Sequence, residues 1–316
     1  MKLLLPGGSG YLGQTLTRAF ESRGHEVVVL SRRPSRSGRS VCWDGRTLGS
    51  WTSELDGADA VINLAGRSVN CRYTKTNLAE MLASRVDSTR AVGFAIQQAR
   101  RPPPVWLQMS TATIYAHRFD APNDELAGCI GGNEPGAPRY WRMSIAIATD
   151  WEEALAKAQT PATRKVALRT AMVMGGEPGG VFDVLLGLTR LGLGGPLAGG
   201  DQFVSWIHAS DFVRAVAFLL ERDELSGPVN LAAPDPLPQR VFIAAVRAAR
   251  RVPIGLPATR WMTELGALAL GTDSELVLKS RRVIPRKLLE AGFTFEFPEW
   301  YAAVHDLVAR RKASRR

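Results

Sequence analysis

The first fifteen residues constrain this chain more than any other stretch. Lys2-Leu3-Leu4-Leu5 reads as a short apolar strand, and it runs into Gly7-Gly8-Ser9-Gly10-Tyr11-Leu12-Gly13. Leu12, Leu16 and Ala19-Phe20 then recur at helical spacing until Gly24. Glycines at this spacing between a strand and a helix permit a tight turn and close backbone approach to a pyrophosphate. The helix N-terminus then faces the phosphate charge. The spacing predicts nucleotide binding, with Gly7, Ser9, Gly10, Tyr11, Leu12 and Gly13 as the loop.

Downstream, the chain alternates between two periodicities. Val27–Leu30, Ala60–Leu64, Val105–Met109 and Lys165–Leu168 are continuous apolar runs, the mark of strands buried on both faces. Helical stretches separate them at about 77–100 and 144–159. Strands alternating with helices predict an α/β, Rossmann-type, doubly wound parallel sheet. After Arg169, paired glycines punctuate shorter elements, and helices follow at about 211–222, 239–250 and 299–311. Residues 1–168 read as a nucleotide-binding half. Residues 169–316 read as a smaller, mostly helical substrate-side half, intertwined with the first.

The end of the second strand selects the cofactor. An NAD site places an Asp or Glu there to accept from the ribose 2′-hydroxyl. This chain has Ser31-Arg32-Arg33, and its nearest acids are Glu26, inside the strand, and Asp44, beyond the loop. A hydroxyl and two guanidiniums suit a 2′-phosphate, so the expected cofactor is NADP(H).

Composition sets the outer limits. An apolar fraction of 45% in 316 residues supports a sizeable core without disulfides or a metal. Cys42, Cys71 and Cys129 form no CxxC and no zinc spacing, so no metal is expected and a reducing cytoplasm fits. No apolar run is long enough to span a membrane. The net charge is +10, but Arg310, Arg311, Lys312, Arg315 and Arg316 supply half of it. They read as a solvated basic tail following the last helix. With aromatics at 8% and no stacking stripe, nucleic acid is not an expected partner. The oligomeric state is left open.

Several motifs together resemble one family. The glycine loop, with Asn63-Leu64-Ala65-Gly66 after the fourth strand, is similar to that of the extended short-chain dehydrogenase/reductases. Ser110-Thr111-Ala112-Thr113-Ile114-Tyr115 resembles the active-site strand end of the sugar-nucleotide epimerases. Trp151-Glu152, the run Leu191–Gly195 and Trp206-Ile207-His208-Ala209-Ser210-Asp211 look like the atypical "epimerase family protein" branch, which is NAD-dependent epimerase/dehydratase-like. Arg282–Leu288 and Gly292-Phe293 are similar to its small C-terminal domain of unknown function. The resemblance covers about residues 2–309. It implies that Ser31 and Arg32 hold the 2′-phosphate. Leu64 and Ala65, with Gly66 beside them, would pass beneath the adenosine and pyrophosphate. Glu80 and Arg85 would contact the cofactor, and Val173 would lie at the nicotinamide end. By its own helix, Arg85 can equally pair with Glu80 or Asp87.

The family's catalytic pair is absent. Reductases of this type use Tyr-x-x-x-Lys, the Tyr as acid/base and the Lys lowering its pKa. Counting back from Glu152, those positions fall on Ser144 and Ala148. Among substitutes, Thr111 matches the family's catalytic Ser/Thr and Tyr115 lies on the same loop. Arg72 and Tyr73 follow the fourth strand at the cofactor edge and are candidates for meeting a substrate. Arg169 points into the cleft or makes an internal ion pair. Gln202 and Trp206 are expected to line the cleft wall, and Asp211 to start a helix.

Three functions follow. The first is an NADP(H)-dependent oxidoreductase or epimerase-like enzyme on an unknown small substrate. The second is a catalytically silent NADPH-binding sensor or interaction protein. The third is polyanion or RNA binding.

Overall fold

A computed structural model describes residues 1–33, 38–135, 137–138 and 140–313. The strands are β1 (Lys2–Pro6), β2 (Glu26–Ser31), β3 (Arg39–Cys42), β4 (Ala60–Asn63), β5 (Val105–Thr111), β6 (Arg164–Thr170), β7 (Met172–Met174), β8 (Phe203–Val204), β9 (Trp206–His208), β10 (Gly227–Leu231) and β11 (Leu237–Pro238). The helices are α1 (Tyr11–Glu21), α2 (Lys75–Gln98), α3 (Trp141–Lys157), α4 (Val181–Arg190), α5 (Ala209–Leu220), α6 (Gln239–Arg250), α7 (Arg260–Ala269), α8 (Glu275–Leu278), α9 (Arg286–Glu290) and α10 (Trp300–Ala313).

Seven strands form one parallel sheet in the order β10-β6-β5-β4-β1-β2-β3. Alternate residues of its apolar strands feed two cores, as the two-residue side-chain period requires. Leu3, Leu5, Val27, Val29, Ile62 and Leu107 pack with Leu16 and Phe20 of α1 and Phe212 and Val216 of α5. Leu4, Val28, Leu30, Val61 and Trp106 pack with Ala91, Val92, Ala95 and Ile96 of α2 and Leu155 of α3. The order reverses between β1 and β4. In open α/β sheets that switch point opens a crevice at the carboxyl ends of the strands.

The chain beyond residue 168 is woven into this body. Residues 168 and 169 lie inside β6, and β10 returns to pair with β6. A third apolar core gathers Phe182, Trp206, Phe242, Trp300 and Val304 from the C-terminal half. Asp211, fully buried at the start of α5, accepts the backbone N–H groups of Glu296 and Phe297, each at 2.8 Å, and so ties the C-terminal segment to the sheet body.

Three elements carried no clear sequence signal. β3 is an edge strand with no buried residue, so it lacks an apolar run. α4 sits between glycine pairs that read as loop. α7 leaves Trp261, Leu265 and Leu268 exposed, so its apolar residues face away from the core. The basic segment also differs from expectation. Residues 310–313 are the last turn of α10, and Arg311 is buried and paired with Asp183 of α4 at 2.7 Å, because α10 packs across the third core. Arg315 and Arg316 lie outside the described residues. Among the described residues no helix is long and apolar enough to cross a membrane.

Candidate functional site

The glycine loop closes the switch point. Gly7 adopts φ +76° and donates its N–H to Leu30 O at 2.8 Å. A Cβ on Gly7 would stand 2.6 Å from the backbone of Ala65, so the chain leaving β4 lies flush against the loop. A Cβ on Gly13 would stand 2.3 Å from Gly8 O, because the first turn of α1 is pressed onto the loop. Gly10 differs: it N-caps α1 in an extended conformation, and a Cβ there meets nothing nearer than Gly7 O at 3.7 Å. α1 has no side-chain cap hydrogen bond and no acid in its first turn. Its leading N–H groups and dipole therefore face open space beside exposed Ser9 and Gly10, an arrangement that binds anions. Leu12 is half-buried against the sheet core. Tyr11 turns away from the loop. Its hydroxyl donates to Glu177 at 3.2 Å, and a Cβ on Gly175 or Gly180 would collide with its ring or hydroxyl. Burial and the Glu177 charge raise its pKa.

At the end of β2, Ser31 is buried and its hydroxyl donates to Arg33 O. Arg32 and Arg33 are exposed, and neither forms an ion pair among the described residues. Asp44, the next acid, is consumed in its own turn. The Thr47 hydroxyl and N–H hold its carboxyl below the usual range.

At the end of β4, Asn63 Oδ1 accepts the Ala65 N–H at 3.0 Å and its amide donates to Gln108 at 2.9 Å. This fixes half-buried Leu64 and buried Ala65 under the loop. A Cβ on Gly66 would lie 3.3 Å from the Arg85 side chain. Arg85 pairs with neither acid of its helix: Glu80 pairs with Arg67 and Asp87 with Arg46. Its guanidinium lies 4.9 Å from the Trp151 ring centroid and donates only to Met81 O among the described residues. Burial pushes it down to about 10, so the site holds a guanidinium without an anion beside Gly66.

The substitutes expected for catalysis divide. Thr111 ends β5 half-buried, and its hydroxyl oxygen accepts the Thr113 N–H at 3.1 Å, leaving its proton free to donate. Tyr115 does not face the cleft. It is buried, its hydroxyl donates to Asn230 at 3.0 Å and accepts from Arg169 at 3.0 Å, and burial raises its pKa. Arg169 makes the internal ion pair instead of entering the cleft. It grips Glu152 through Nε at 2.9 Å and Nη2 at 2.7 Å, and Ser110 donates to the same carboxylate at 2.6 Å. The Trp151-Glu152 motif is thus a clamp across β5 and β6, whose register sets Ser110 opposite Arg169. Trp206 is buried away from any cleft wall, whereas Gln202 borders a cavity of about 240 Å³ with His117, Trp141 and Leu278. The Gln202 amide donates to Leu197 O and Val277 O, and the Trp206 ring packs 4.8 Å from Trp300. Val173 is buried in β7 opposite Ile207 of β9.

Arg72 and Tyr73 do reach a polar cluster, one that sequence reasoning missed. Arg72 donates to Thr272 O at 3.1 Å. Burial and then the Glu275 charge raise the pKa of Tyr73. The segment 273–281 brings Glu275 and Lys279, both wholly buried and 3.9 Å apart. Lys279 donates to Thr113 O at 2.8 Å and Arg281 to Thr113 Oγ1 at 3.1 Å. Ser144, where counting back from Glu152 sets the tyrosine of the resembling family, stands 2.5 Å from Glu275 Oε1. Burial pushes Glu275 up and Lys279 down, to about 8. The sequence signal was weak: Glu275, Lys279 and Arg281 stand among Asp273, Ser274, Ser280 and Arg282, with only Leu276-Val277-Leu278 apolar, and look like an ordinary surface stretch.

The fold and this cradle define a Rossmann-type protein of the short-chain dehydrogenase/reductase class. Residues 3–232 match the NAD dependent epimerase/dehydratase family, and 260–307 match a domain of unknown function, DUF1731. The chain belongs to the NAD dependent epimerase/dehydratase family. It is 32% identical over 313 residues to the Bos taurus epimerase family protein SDR39U1, covering 98% of this chain and 100% of that one. It is 30% identical to the epimerase family protein YfhF of Bacillus subtilis (strain 168), covering 99% of each. The crystal structure of human epimerase family protein SDR39U1 with NADPH superposes with a TM-score of 0.85 at 30% identity, over 98% of this chain and 99% of that one.

Proposed function

We propose that this chain binds NADP(H) at the β1–β4 switch point and acts there as an oxidoreductase or epimerase-like enzyme on a small carbonyl or hydroxyl compound. The observation that carries the reading is the end of β2. Buried Ser31 and exposed Arg32 and Arg33 stand there with no carboxylate to accept from a ribose diol. The cradle fits the group, since the open face of Gly10 and the uncapped start of α1 leave room and donors for a diphosphate. In this reading Gly7, Ser9, Gly10, Leu12 and Gly13 hold the diphosphate. Leu64, Ala65 and Gly66 floor it, and Arg85 supplies the missing charge partner. Tyr11 and Glu80 support neighbouring loops, and Val173 backs the nicotinamide end. The bound cofactor supplies or accepts hydride. Thr111 orients the substrate oxygen with the proton its hydroxyl keeps free. The human relative solved with NADPH supports the assignment. The free thiols Cys42, Cys71 and Cys129 fit a reducing cytoplasm.

Calorimetric titration of both dinucleotides tests the reading. NADPH is expected to bind about 10- to 100-fold more tightly than NADH at modest salt, the low end for charge-assisted bonds at an exposed edge. Arg32→Ala should lose most of that preference by weakening NADPH alone, and Arg33→Ala should lose less. Equal affinities in the unmutated protein would sink the assignment. The second reading, a silent NADPH-binding protein, is favoured by one observation: Ser144 and Ala148 replace the Tyr and Lys. Tight NADPH binding without turnover of any carbonyl compound would select it.

A further inference from the structure

We propose that Ser144 and Glu275 form the proton relay of this cleft, with Ser144 touching the substrate oxygen and Glu275 acting through it. The inference rests on the reading of the cleft as a redox site. It names the substrate class as a ketone or aldehyde and its alcohol.

The geometry is that of a two-way hydrogen-bond switch. Ser144 is half-buried on α3, which packs over the short helix 112–114 that follows β5. Its Oγ lies 3.0 Å from Trp141 O and 2.5 Å from Glu275 Oε1. A serine has one proton to give, and a carbonyl oxygen can only accept. When Glu275 is protonated, it donates to Ser144 and Ser144 donates to Trp141 O. When Glu275 is ionised, Ser144 donates to it. One proton separates the two states, and the half-buried hydroxyl is the atom able to reach a ligand.

Glu275 is built for that exchange. Its side chain is wholly buried, and Oε2 has no hydrogen-bond partner among the described residues. A permanently ionised carboxylate with one oxygen unpaired is costly there, and a neutral acid is not. When the proton leaves, Lys279 at 3.9 Å and Arg281 on the same segment balance the charge. Asp273 on that segment faces the same carboxyl and favours its neutral form, and the neutral Tyr73 phenol from the loop after β4 stands beside it. The cluster touches Thr113, two residues past Thr111, and reaches Arg85 through Tyr73. It therefore closes over the carboxyl ends of β4 and β5, where the crevice lies.

In the reducing direction the carbonyl carbon gains hydride, and its π pair moves to oxygen. That oxygen takes the Ser144 proton, and Ser144 takes the Glu275 proton. An alcohol and a Glu275 carboxylate result, and oxidation runs the same transfers backwards.

Two measurements on the full chain test this. The first is carboxyl carbon NMR of protein labelled at glutamate Cδ, titrated without cofactor. One resonance should titrate above the ordinary glutamate range, vanish in Glu275→Gln and shift in Ser144→Ala. A Glu275 that titrates in the ordinary range overturns the proposal. The second is reduction of a panel of small ketones and vicinal diketones by NADPH. Ser144→Ala should lower kcat about 100-fold or more, within the range for general acid catalysis, with NADPH affinity unchanged. Ser144→Thr should keep most of the rate. Reduction should fall as pH rises through the Glu275 pKa, and Glu275→Gln should lose that limb. If Glu275→Gln does not fold, the two Ser144 variants carry the test. An unchanged kcat in Ser144→Ala, or no reduction of the panel by protein that binds NADPH, overturns the relay while leaving the cofactor reading intact. Failure to bind NADPH sinks that reading instead, and the carboxyl titration still reports on Glu275.

Discussion

Arg169→Ala is expected to destabilise the protein by about 3–5 kcal/mol, the usual loss when one partner of a buried ion pair is removed. The two side chains are 9% and 15% exposed, so solvent screens the pair little. Burial would lower the Arg169 pKa, but the hydrogen bonds and charge of Glu152, with the Tyr115 hydroxyl, together outweigh it and raise it. Without the guanidinium, among the described residues Glu152 keeps only Ser110 and the Tyr115 hydroxyl only Asn230. Denaturant unfolding measures the loss. Replacing both members, as Arg169→Met with Glu152→Leu, should recover most of it, since an apolar pair leaves no orphaned charge. A single-variant loss below about 1 kcal/mol would show that the clamp holds nothing.

Gly13→Ala and Gly10→Ala should part company. The Gly13 Cβ would lie 2.3–2.5 Å from the backbone of Gly8, which is no flexible side chain and cannot swing aside. Either the loop opens or α1 shifts, at about 1–3 kcal/mol or more, and the cradle is lost with it. NADPH affinity should fall by more than about 100-fold, which is about 2.7 kcal/mol. At Gly10 the protein itself leaves room, with Gly7 O 3.7 Å from the new Cβ. That variant should stay within about 1 kcal/mol of the parent, the cost of a poorer N-cap. It should nevertheless bind NADPH poorly, because its methyl stands where the diphosphate approaches. Paired thermal melts and titrations decide the matter. Normal NADPH affinity in Gly10→Ala would move the diphosphate elsewhere.

The glycine loop was legible because its signals are local. A strand, three glycines and a helix lie within the first 21 residues, and their spacing dictates a loop geometry that the fold realises. Ser31-Arg32-Arg33 was legible because a strand end is found from the apolar run before it. The sheet was legible because strands buried on both faces read as continuous apolar runs. Local pattern did not settle the long-range partners of buried side chains. Arg169, left open between the cleft and an internal ion pair, grips Glu152, and Trp206, expected at the cleft wall, packs on Trp300 of another element. Tyr115 looked available because its ring follows the active-site strand, yet Asn230, 115 residues away, holds its hydroxyl.

By itself the sequence determined the doubly wound α/β body, the glycine loop, the missing Tyr-Lys pair and the Ser31-Arg32-Arg33 cluster at the end of β2. Each rests on residues that are neighbours along one element, where periodicity and spacing are physical constraints. Only the tertiary structure decided what surrounds Ser144. Ser144 and Glu275 are 131 residues apart, and Lys279 and Thr113 are 166 apart. No periodicity links such pairs. They meet because α3 packs over the end of β5 and the 273–281 segment folds back onto it. There, burial turns an acid and a lysine of ordinary appearance into groups with displaced pKa values.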